Sequence, residues 1–365
     1  MDARFKTIVR ISSPADVLGV VPLRIGFHPT ESIVVVCLHG PRRRDGLVMR
    51  LDLPPKGHDL AVARDLSSKA AHVKATAAVL VCYTEQATNG RRLPRQGLID
   101  LLRQRLTAHG IEVIEALLVH KGRWWSYVCT DPSCCPPSGT ELPTALTPAA
   151  AHYAAEVVAD GGAVLTSRAE LARSICPPNN PVADEVRRQA LERAGEWVVD
   201  TIATGGAEAL CAETVRLMET FVRRWAGGSR ELTHDEAARV VLGLSLKSAR
   251  DEAATLLLDA DSDVLLALLC ALARHADLAD AAPVCTVLAW VAYADGHGAL
   301  ANVAVERALE ADPGYEMARL IEDAMSRMIS PSAVRALTVE VRDDLRAAEG
   351  PPARKPAGPP LPEVS

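Results

Sequence analysis

The chain has 365 residues, 48% of them hydrophobic, and a formal net charge of −6. This length and apolar content suffice for two or three domains with sizeable cores. The negative charge is spread without a long basic block, which argues against nucleic-acid binding, because phosphate neutralisation needs a concentrated positive surface. The apolar runs 264–273 and 281–294 fall short of the roughly 20 residues of a membrane span.

The compartment is predicted from the N-terminus and the cysteines. The opening residues contain no continuous apolar segment of the kind that forms a secretory signal. Nine cysteines in a long chain without such a signal are typical of free thiols in a reducing compartment. The sequence therefore predicts a cytoplasmic protein with no membrane and no nucleic-acid partner.

The first 130 residues switch repeatedly between strand and helix patterns. Predicted strands cover 6–11, 32–38, 47–53, 77–83, 111–120 and 124–129, and predicted helices cover 13–21, 59–74 and 95–109. Strands that alternate with covering helices, and two hairpins, predict a three-layer α/β domain with a mixed sheet at 1–145. The run 32–38 has no polar alternation, which favours a strand buried on both faces.

A helical domain is predicted at 146–345. Segments of ten to twenty residues are separated by short breaks, and Thr233 with Glu236 forms the pattern of a capping box. The fold class is therefore α/β followed by all-α. Residues 346–365 are rich in proline and have no core pattern, so a disordered tail is expected.

One helical pair, at about 283–330, is similar to a tetratricopeptide repeat. Small residues and a closing proline stand at matching spacings, namely Leu288, Ala289, Gly296, Ala301, Ala308 and Pro313. Cys285 occupies the place where that family usually has tryptophan, and no second copy is evident. An ordinary helical hairpin is the alternative. Either form favours packing or binding of a protein partner over catalysis.

The common catalytic motifs are missing. No P-loop, Rossmann glycine pattern, nucleophile elbow or H-E-x-x-H occurs in the sequence. Asp259, Asp261 and Asp263 resemble the start of a calcium loop, but the turn glycine and the twelfth-position glutamate are missing. Helix capping explains these aspartates better.

Two stretches contain candidate site residues. In "GFHPTES", His28 and Glu31 precede a buried strand, where an imidazole and a carboxylate can serve as acid, base or ligand. Local hydrogen bonding in a turn is the alternative for these residues. In "WWS", Trp124 and Trp125 must face opposite sides of the sheet, so that one fills the core while the other can line a groove beside Ser126. His28, Glu31, Trp124, Trp125 and Ser126 are the predicted pocket residues.

The cysteine loop that follows is the candidate metal or thiol site. Cys129, Cys134 and Cys135 supply three sulfurs at C-x4-C-C spacing, whereas zinc usually takes four ligands. The predicted sources of a fourth ligand are Cys176, His120 and His152. Three alternatives remain open: a structural loop with buried thiols, a metal site in which zinc is the first candidate, and a reactive thiol.

Three stretches together resemble an uncharacterised actinobacterial family, domain of unknown function 4192. They are "ISSPADVLGVVPLRIGFHPTESIVVVCL", "GRWWSYVCTDPSCCPPSGTELP" and "DGHGALANVAVERALEADPGYEMARL". The resemblance covers roughly residues 8 to 330 and implies a cytoplasmic actinobacterial protein, but it implies no catalytic residues.

Two functional hypotheses follow from the sequence. The first is a non-enzymatic interaction or ligand-binding protein whose helical half contacts a protein partner. The alternative is an enzyme or a metal or thiol sensor, whose site joins the "GFHP" turn, the Trp-Trp strand and the cysteine loop. The second hypothesis requires those three segments to converge.

Overall fold

The computed structural model describes residues 13–40, 43–86, 92–159 and 163–348. The predicted first strand, at 6–11, and the predicted tail beyond residue 348 lie outside the described residues.

A six-stranded mixed sheet forms the centre of the N-terminal half, as the sequence predicts. Its strands, in the order β2-β1-β3-β4-β5-β6, are β1 (Ser32–His39), β2 (Arg44–Asp52), β3 (Ala77–Tyr83), β4 (Glu112–His120), β5 (Arg123–Ser126) and β6 (Thr140–Glu141). Only β3 and β4 pair in parallel, and the other neighbouring pairs are antiparallel. The parallel pair requires a crossover, which helix α3 (Gln96–Ala108) supplies.

Helices cover both faces of this sheet. They are α1 (Pro14–Ile25), α2 (Asp59–His72), α3 (Gln96–Ala108) and α4 (Pro148–Ala159). Helices α2 and α3 pack on the face that carries Ile33 and Leu80, and α1 packs on the opposite face, with Val34 and Val81. Because both faces are covered, β1 and β3 are apolar at nearly every position.

The N-terminus of α1 shows how local sequence sets an element. Ser13 Oγ accepts the N–H of Asp16, and the Asp16 carboxylate accepts the N–H of Ser13. This reciprocal capping box satisfies two N–H groups that have no partner within the helix. Proline at the first helical position further fixes the start.

Chain beyond residue 145 still contributes to the α/β layers. Helix α4 packs on α1 through Ala150 and Tyr153, and Leu165 forms a parallel bridge with Phe27. The domain boundary at residue 145 therefore stays a prediction.

The remaining described chain is helical, as predicted. Its α-helices are α5 (Arg168–Ser174), α6 (Pro181–Ala226), α7 (His234–Gly243), α8 (Lys247–Thr255), α9 (Ser262–Ala273), α10 (Ala281–Ala294), α11 (Gly298–Ala311), α12 (Glu316–Ser326) and α13 (Pro331–Ala348). Helix α6 kinks at Gly206, where φ is 73°. Asp261 caps α9, which agrees with the predicted capping role. None of the helices in the described ranges is both long enough and apolar enough to cross a membrane.

Helix α10 is the core of the helical half. Nearly all of its residues are buried, from Ala281 to Ala294. It contacts α7, α8, α9, α11, α12 and α13. Helices α10 and α11 form a close hairpin, while the likeness to a tetratricopeptide repeat stays a prediction. A partner that binds the helical half must therefore use surfaces other than α10.

We expect Gly243→Ala to lower the free energy of unfolding by about 1–3 kcal/mol, because overpacking forces the two helices apart. A Cβ at this last residue of α7 would lie 2.2 Å from Oγ1 and 3.0 Å from Cβ of Thr214 on α6. Gly97→Ala is the matched control, since a Cβ there meets no atom within 4 Å. The control should leave stability unchanged or raise it by up to about 1 kcal/mol. Equal denaturant midpoints for the two variants would contradict this account.

Candidate functional site

The cysteine loop connects two neighbouring strands at one edge of the sheet. It leaves β5 after Ser126 and returns at β6, where Trp124 pairs with Thr140. Since β6 has only two residues, the returning chain is held mainly by side chains of β5. Those contacts determine where the three cysteines lie.

Arg123 and Trp125 hold the returning end of the loop. Trp125 Nε1 donates to the Pro137 carbonyl at 3.0 Å. Arg123 Nε donates to the Ser138 carbonyl, and its Nη2 donates to the Gly139 carbonyl, both at 2.9 Å. Three consecutive carbonyls are thus bound by two side chains of one strand.

Ser126 holds the outgoing end of the loop. Its Oγ accepts the N–H groups of Val128 at 3.1 Å and of Cys129 at 2.9 Å. The same hydroxyl donates to Glu115 Oε1 on β4, at 2.7 Å. This network turns the chain sharply after β5 and orients Cys129.

Asp131 folds the loop back on itself. Its carbonyl accepts the N–H groups of Cys134 at 3.2 Å and of Cys135 at 2.7 Å. Its Oδ1 accepts from the N–H and the hydroxyl of Ser133, an Asx turn. The four-residue spacing between Cys129 and Cys134 contains this turn, which returns the second and third cysteines to the first.

The three sulfurs form a compact cluster. The Sγ atoms of Cys129, Cys134 and Cys135 all lie within 4.8 Å of one another, and Cys134 Sγ lies 3.9 Å from Cys135 Sγ. Two thiolates on one tetrahedral zinc ion are separated by about 3.8 Å, given a Zn–S distance of about 2.3 Å. A disulfide would need about 2.05 Å, and all three thiols are free. The spacing therefore matches sulfurs that share one ion.

The thiols of the cluster differ in proton affinity. The backbone N–H of Asp131, followed by the thiol of Cys135, lowers the pKa of Cys129. Burial, followed by hydrogen bonds with the other two thiols, raises the pKa of Cys135 to about 12. The negative charge of the cluster therefore resides first on Cys129. A cation is needed to remove the proton from Cys135 near neutral pH.

The predicted fourth ligands do not join the three sulfurs among the described residues. Cys176 Sγ donates to the Ala172 carbonyl, at the junction between α5 and α6. His152 lies exposed on α4 with its Nε2 3.8 Å from Glu156. His120 is buried and its Nδ1 donates to the Thr84 carbonyl at 2.9 Å. The protein ligand set of the described cluster is therefore three thiols, with Cys134 exposed to solvent.

A second network runs from Glu31, two residues after the "GFHP" turn, towards Trp125. The Glu31 carboxylate accepts from Thr84 Oγ1 at 3.0 Å and from the Glu85 N–H at 2.5 Å. Thr84 in turn bonds His120, whose ring centroid lies 6.3 Å from that of Trp125. Because the carboxyl ends of β3 and β4 meet here, these polar groups collect at one edge of the sheet.

Within the described residues, His28 and Trp124, the other two predicted pocket residues, contribute no side-chain hydrogen bond to this network. The His28 side chain is exposed, while the His28 backbone N–H donates to the Leu165 carbonyl at 3.0 Å. Trp124 packs into the core on the α1 face, while Trp125 packs on the opposite face and bonds the loop. This split follows from side-chain alternation along β5. The sequence analysis did not predict that Arg123, Glu115 and Asp131 hold the loop. The polar residues beside the ends of the cysteine loop could have indicated this role.

The chain matches, over residues 14–332, the model of a family described as Domain of unknown function (DUF4192). The chain belongs to this family. The family resemblance predicted from the sequence is thus confirmed, and the actinobacterial origin stays a prediction. No curated protein and no solved structure matches the chain. Membership in this family therefore assigns no activity to the chain.

We expect Gly139→Ala to disrupt the cysteine loop, since Gly139 has φ 73° and its added Cβ would lie 2.4 Å from the Trp125 ring. Gly110→Ala is the matched control, with φ 74° and no atom within 4 Å of the added Cβ. Backbone strain alone should lower the free energy of unfolding of the control by about 1 kcal/mol. Gly139→Ala should lower it by about 1–3 kcal/mol more. It should also expose the loop thiols to faster alkylation, as measured by mass spectrometry. Identical alkylation rates in the two variants would contradict the seating of Gly139 on Trp125.

Proposed function

We propose that the cysteine loop binds one thiophilic metal ion through Cys129, Cys134 and Cys135, and that the protein acts as a metal or thiol sensor. The observation that carries this proposal is the separation of the three sulfurs, all within 4.8 Å in a loop without a disulfide. Soft thiolate ligands favour zinc, copper(I) and similar ions over calcium or magnesium.

An open coordination position supports a sensing or exchange role over a purely structural one. Structural zinc sites usually have four protein ligands, whereas sites with three protein ligands leave one position for water or another molecule. Cys134 is exposed, so a fourth ligand from solvent can reach the ion. Copper(I) would need no fourth ligand, because three thiolates satisfy a trigonal ion.

The way in which the loop is attached to the sheet supports a conformational response to metal binding. The loop is bounded by a two-residue strand and held by Trp125 and Arg123. An ion that cross-links three of its residues would restrict the loop, and the restriction would reach Trp125 through Pro137. Metal binding then alters one edge of the sheet, which a partner or ligand can detect.

A reducing compartment is part of the proposal. All nine cysteines are free, and a three-thiolate site operates only while its thiols are reduced. We therefore infer a cytoplasmic location.

A second candidate function is binding of a protein partner by the helical half. Val199 and Ile202 on α6 are exposed apolar side chains one helical turn apart, with exposed fractions of 65% and 44%. They favour this candidate only weakly, because single apolar side chains are common on protein surfaces. The thiol cluster is the more specific feature.

We expect the protein, purified without chelators, to contain one zinc or copper ion per chain by elemental mass spectrometry. Cys134→Ser should lose at least about nine-tenths of the metal, because removal of one of three thiolates leaves a weak two-ligand site. Cys211→Ser is the matched control and should retain the metal, since Cys211 lies on α6 and its thiol contacts Glu252.

Two outcomes would contradict the metal proposal. One is metal-free protein that fails to bind added zinc, cadmium or copper(I) under reducing conditions. The other is equal metal content in Cys134→Ser and Cys211→Ser. Rapid single-site alkylation of Cys129 in metal-free protein, with no effect of added metal, would instead favour a reactive thiol.

Metal affinity should rise with pH. The pKa of Cys135, about 12 in the metal-free loop, keeps this thiol protonated at neutral pH, so metal binding must release its proton. Each such proton changes the apparent affinity about tenfold per pH unit, and competition with a chromophoric chelator should show a gain of at least about 100-fold from pH 6 to pH 8. A pH-independent affinity over this range would exclude Cys135 as a thiolate ligand.

A further inference from the structure

A cavity separate from the cysteine loop lies in the helical half. Its volume is about 490 Å³, and it is bordered by α5, the turn after α5, the start of α6, the start of α7 and the end of α9. Three arginines and two histidines line it, namely Arg173, Arg187, Arg274, His234 and His275. This volume suits a small organic molecule.

The lining has an excess of positive charge. Arg187 is buried and is paired with Asp184 and Asp277, at 2.8 Å in each case. Arg274 Nη1 donates to the Ser174 carbonyl at 3.1 Å, an uncharged partner. Within the described residues neither Arg173 nor Arg274 forms an ion pair, so two of the three guanidinium groups that line the cavity have no carboxylate bound to them.

Arg173 is the cation best placed to receive a ligand. Its side chain is exposed and lines the cavity. Within the described part of the chain it forms no hydrogen bond or ion pair, and its charge acts only at a distance on Glu170. A planar guanidinium with free N–H groups binds a carboxylate or a phosphate in a bidentate manner.

The two imidazoles add polar groups that lack full partners. The rings of His234 and His275 lie edge to face, with centroids 5.0 Å apart. His275 Nδ1 donates to the Ala271 carbonyl at 2.9 Å, so Nε2 is the acceptor nitrogen of the neutral ring. Nδ1 of His234 is buried and has no partner among the described residues. A buried polar atom of this kind is costly unless a ligand or water binds it.

The positive charges around the cavity also affect the pKa of His275. Burial lowers the pKa of His275, and the positive charges of His234, Arg274 and Arg187 lower it further, while the bond to Ala271 acts in the opposite direction. An anion in the cavity would relieve the repulsion among these groups.

We infer that this cavity binds a small organic oxyanion, a molecule with one carboxylate or phosphate group held by Arg173 and Arg274. The rings of His234 and His275 line the same cavity. Pro178 and Ala183 give the cavity an apolar wall against which the organic part packs. Binding at this place does not depend on metal in the cysteine loop.

Cys176 provides a direct test, because it lines the cavity and is partly exposed. Phenyl phosphate and benzoate are the probes, and benzamide is the neutral control of similar shape. Mass spectrometry after treatment with iodoacetamide gives the alkylation rate of Cys176. We expect at least one anion at millimolar concentration to slow alkylation severalfold and benzamide to have no effect. The stronger of the two anions identifies phosphate or carboxylate as the preferred group.

Substitution of Arg173 tests whether the anion protects Cys176 by binding in the cavity. Arg173→Gln should raise the anion concentration needed for half-maximal protection about tenfold or more. This is the usual loss of affinity when a hydrogen bond to a charged group is removed. Arg188→Gln is the matched control, since Arg188 is exposed on α6 and pairs with Glu185 and Glu192. Both variants should unfold at the same temperature as the parent, because both side chains are exposed.

Three results would overturn the inference. They are equal protection by benzamide and the anions, no protection by either anion, and undiminished protection in Arg173→Gln. None of them bears on metal binding by the cysteine loop, so the two proposals fail independently.

Discussion

The alternation of side chains along a strand that is covered on both faces is the constraint on which this structure depends. In β5 it sends Trp124 into the core beneath α1 and leaves Trp125 on the other face. Trp125 then bonds the backbone of the cysteine loop, and Arg123, two residues earlier on the same face, bonds the next two carbonyls. One buried tryptophan therefore fixes the strand, and the strand fixes the loop. A slip by one residue would exchange the two rings and release the loop.

The loop illustrates how a site arises from ordinary turn chemistry. The Ser126 hydroxyl and the Asp131 carbonyl accept hydrogen bonds from the backbone N–H groups that follow a strand and a turn. Such bonds are common in turns without any function. Here their combined effect is to place the three Sγ atoms within 4.8 Å of one another, where burial, followed by hydrogen bonds with the other two thiols, raises the pKa of Cys135. In the proposed site, a metal ion bound by all three sulfurs would replace their protons.

The helical half is organised around one buried helix. Its core is α10, an almost wholly apolar helix enclosed by its neighbours. Where α5 and the start of α6 join this core, buried Arg187 and the pair of histidines border a cavity instead of a packed interface. The sites proposed in the two halves thus differ in the charge of their ligand, a cation at the cysteine loop and an anion at the cavity.

The sequence by itself determined the fold class, because strand and helix periods are local properties. The apolar runs of β1 and β3 and the capping box at Ser13 were predictable, as were the opposite orientations of the two tryptophans and the family. The three cysteines were also evident, since their spacing lies within a single turn. The tertiary structure alone decided that Cys176, His120 and His152 stay apart from them. It also brought Glu31 to Thr84, 53 residues later, and joined Arg173, His234 and His275 around one cavity. Those neighbours are distant along the chain, and only the packing of whole elements determines which of them meet.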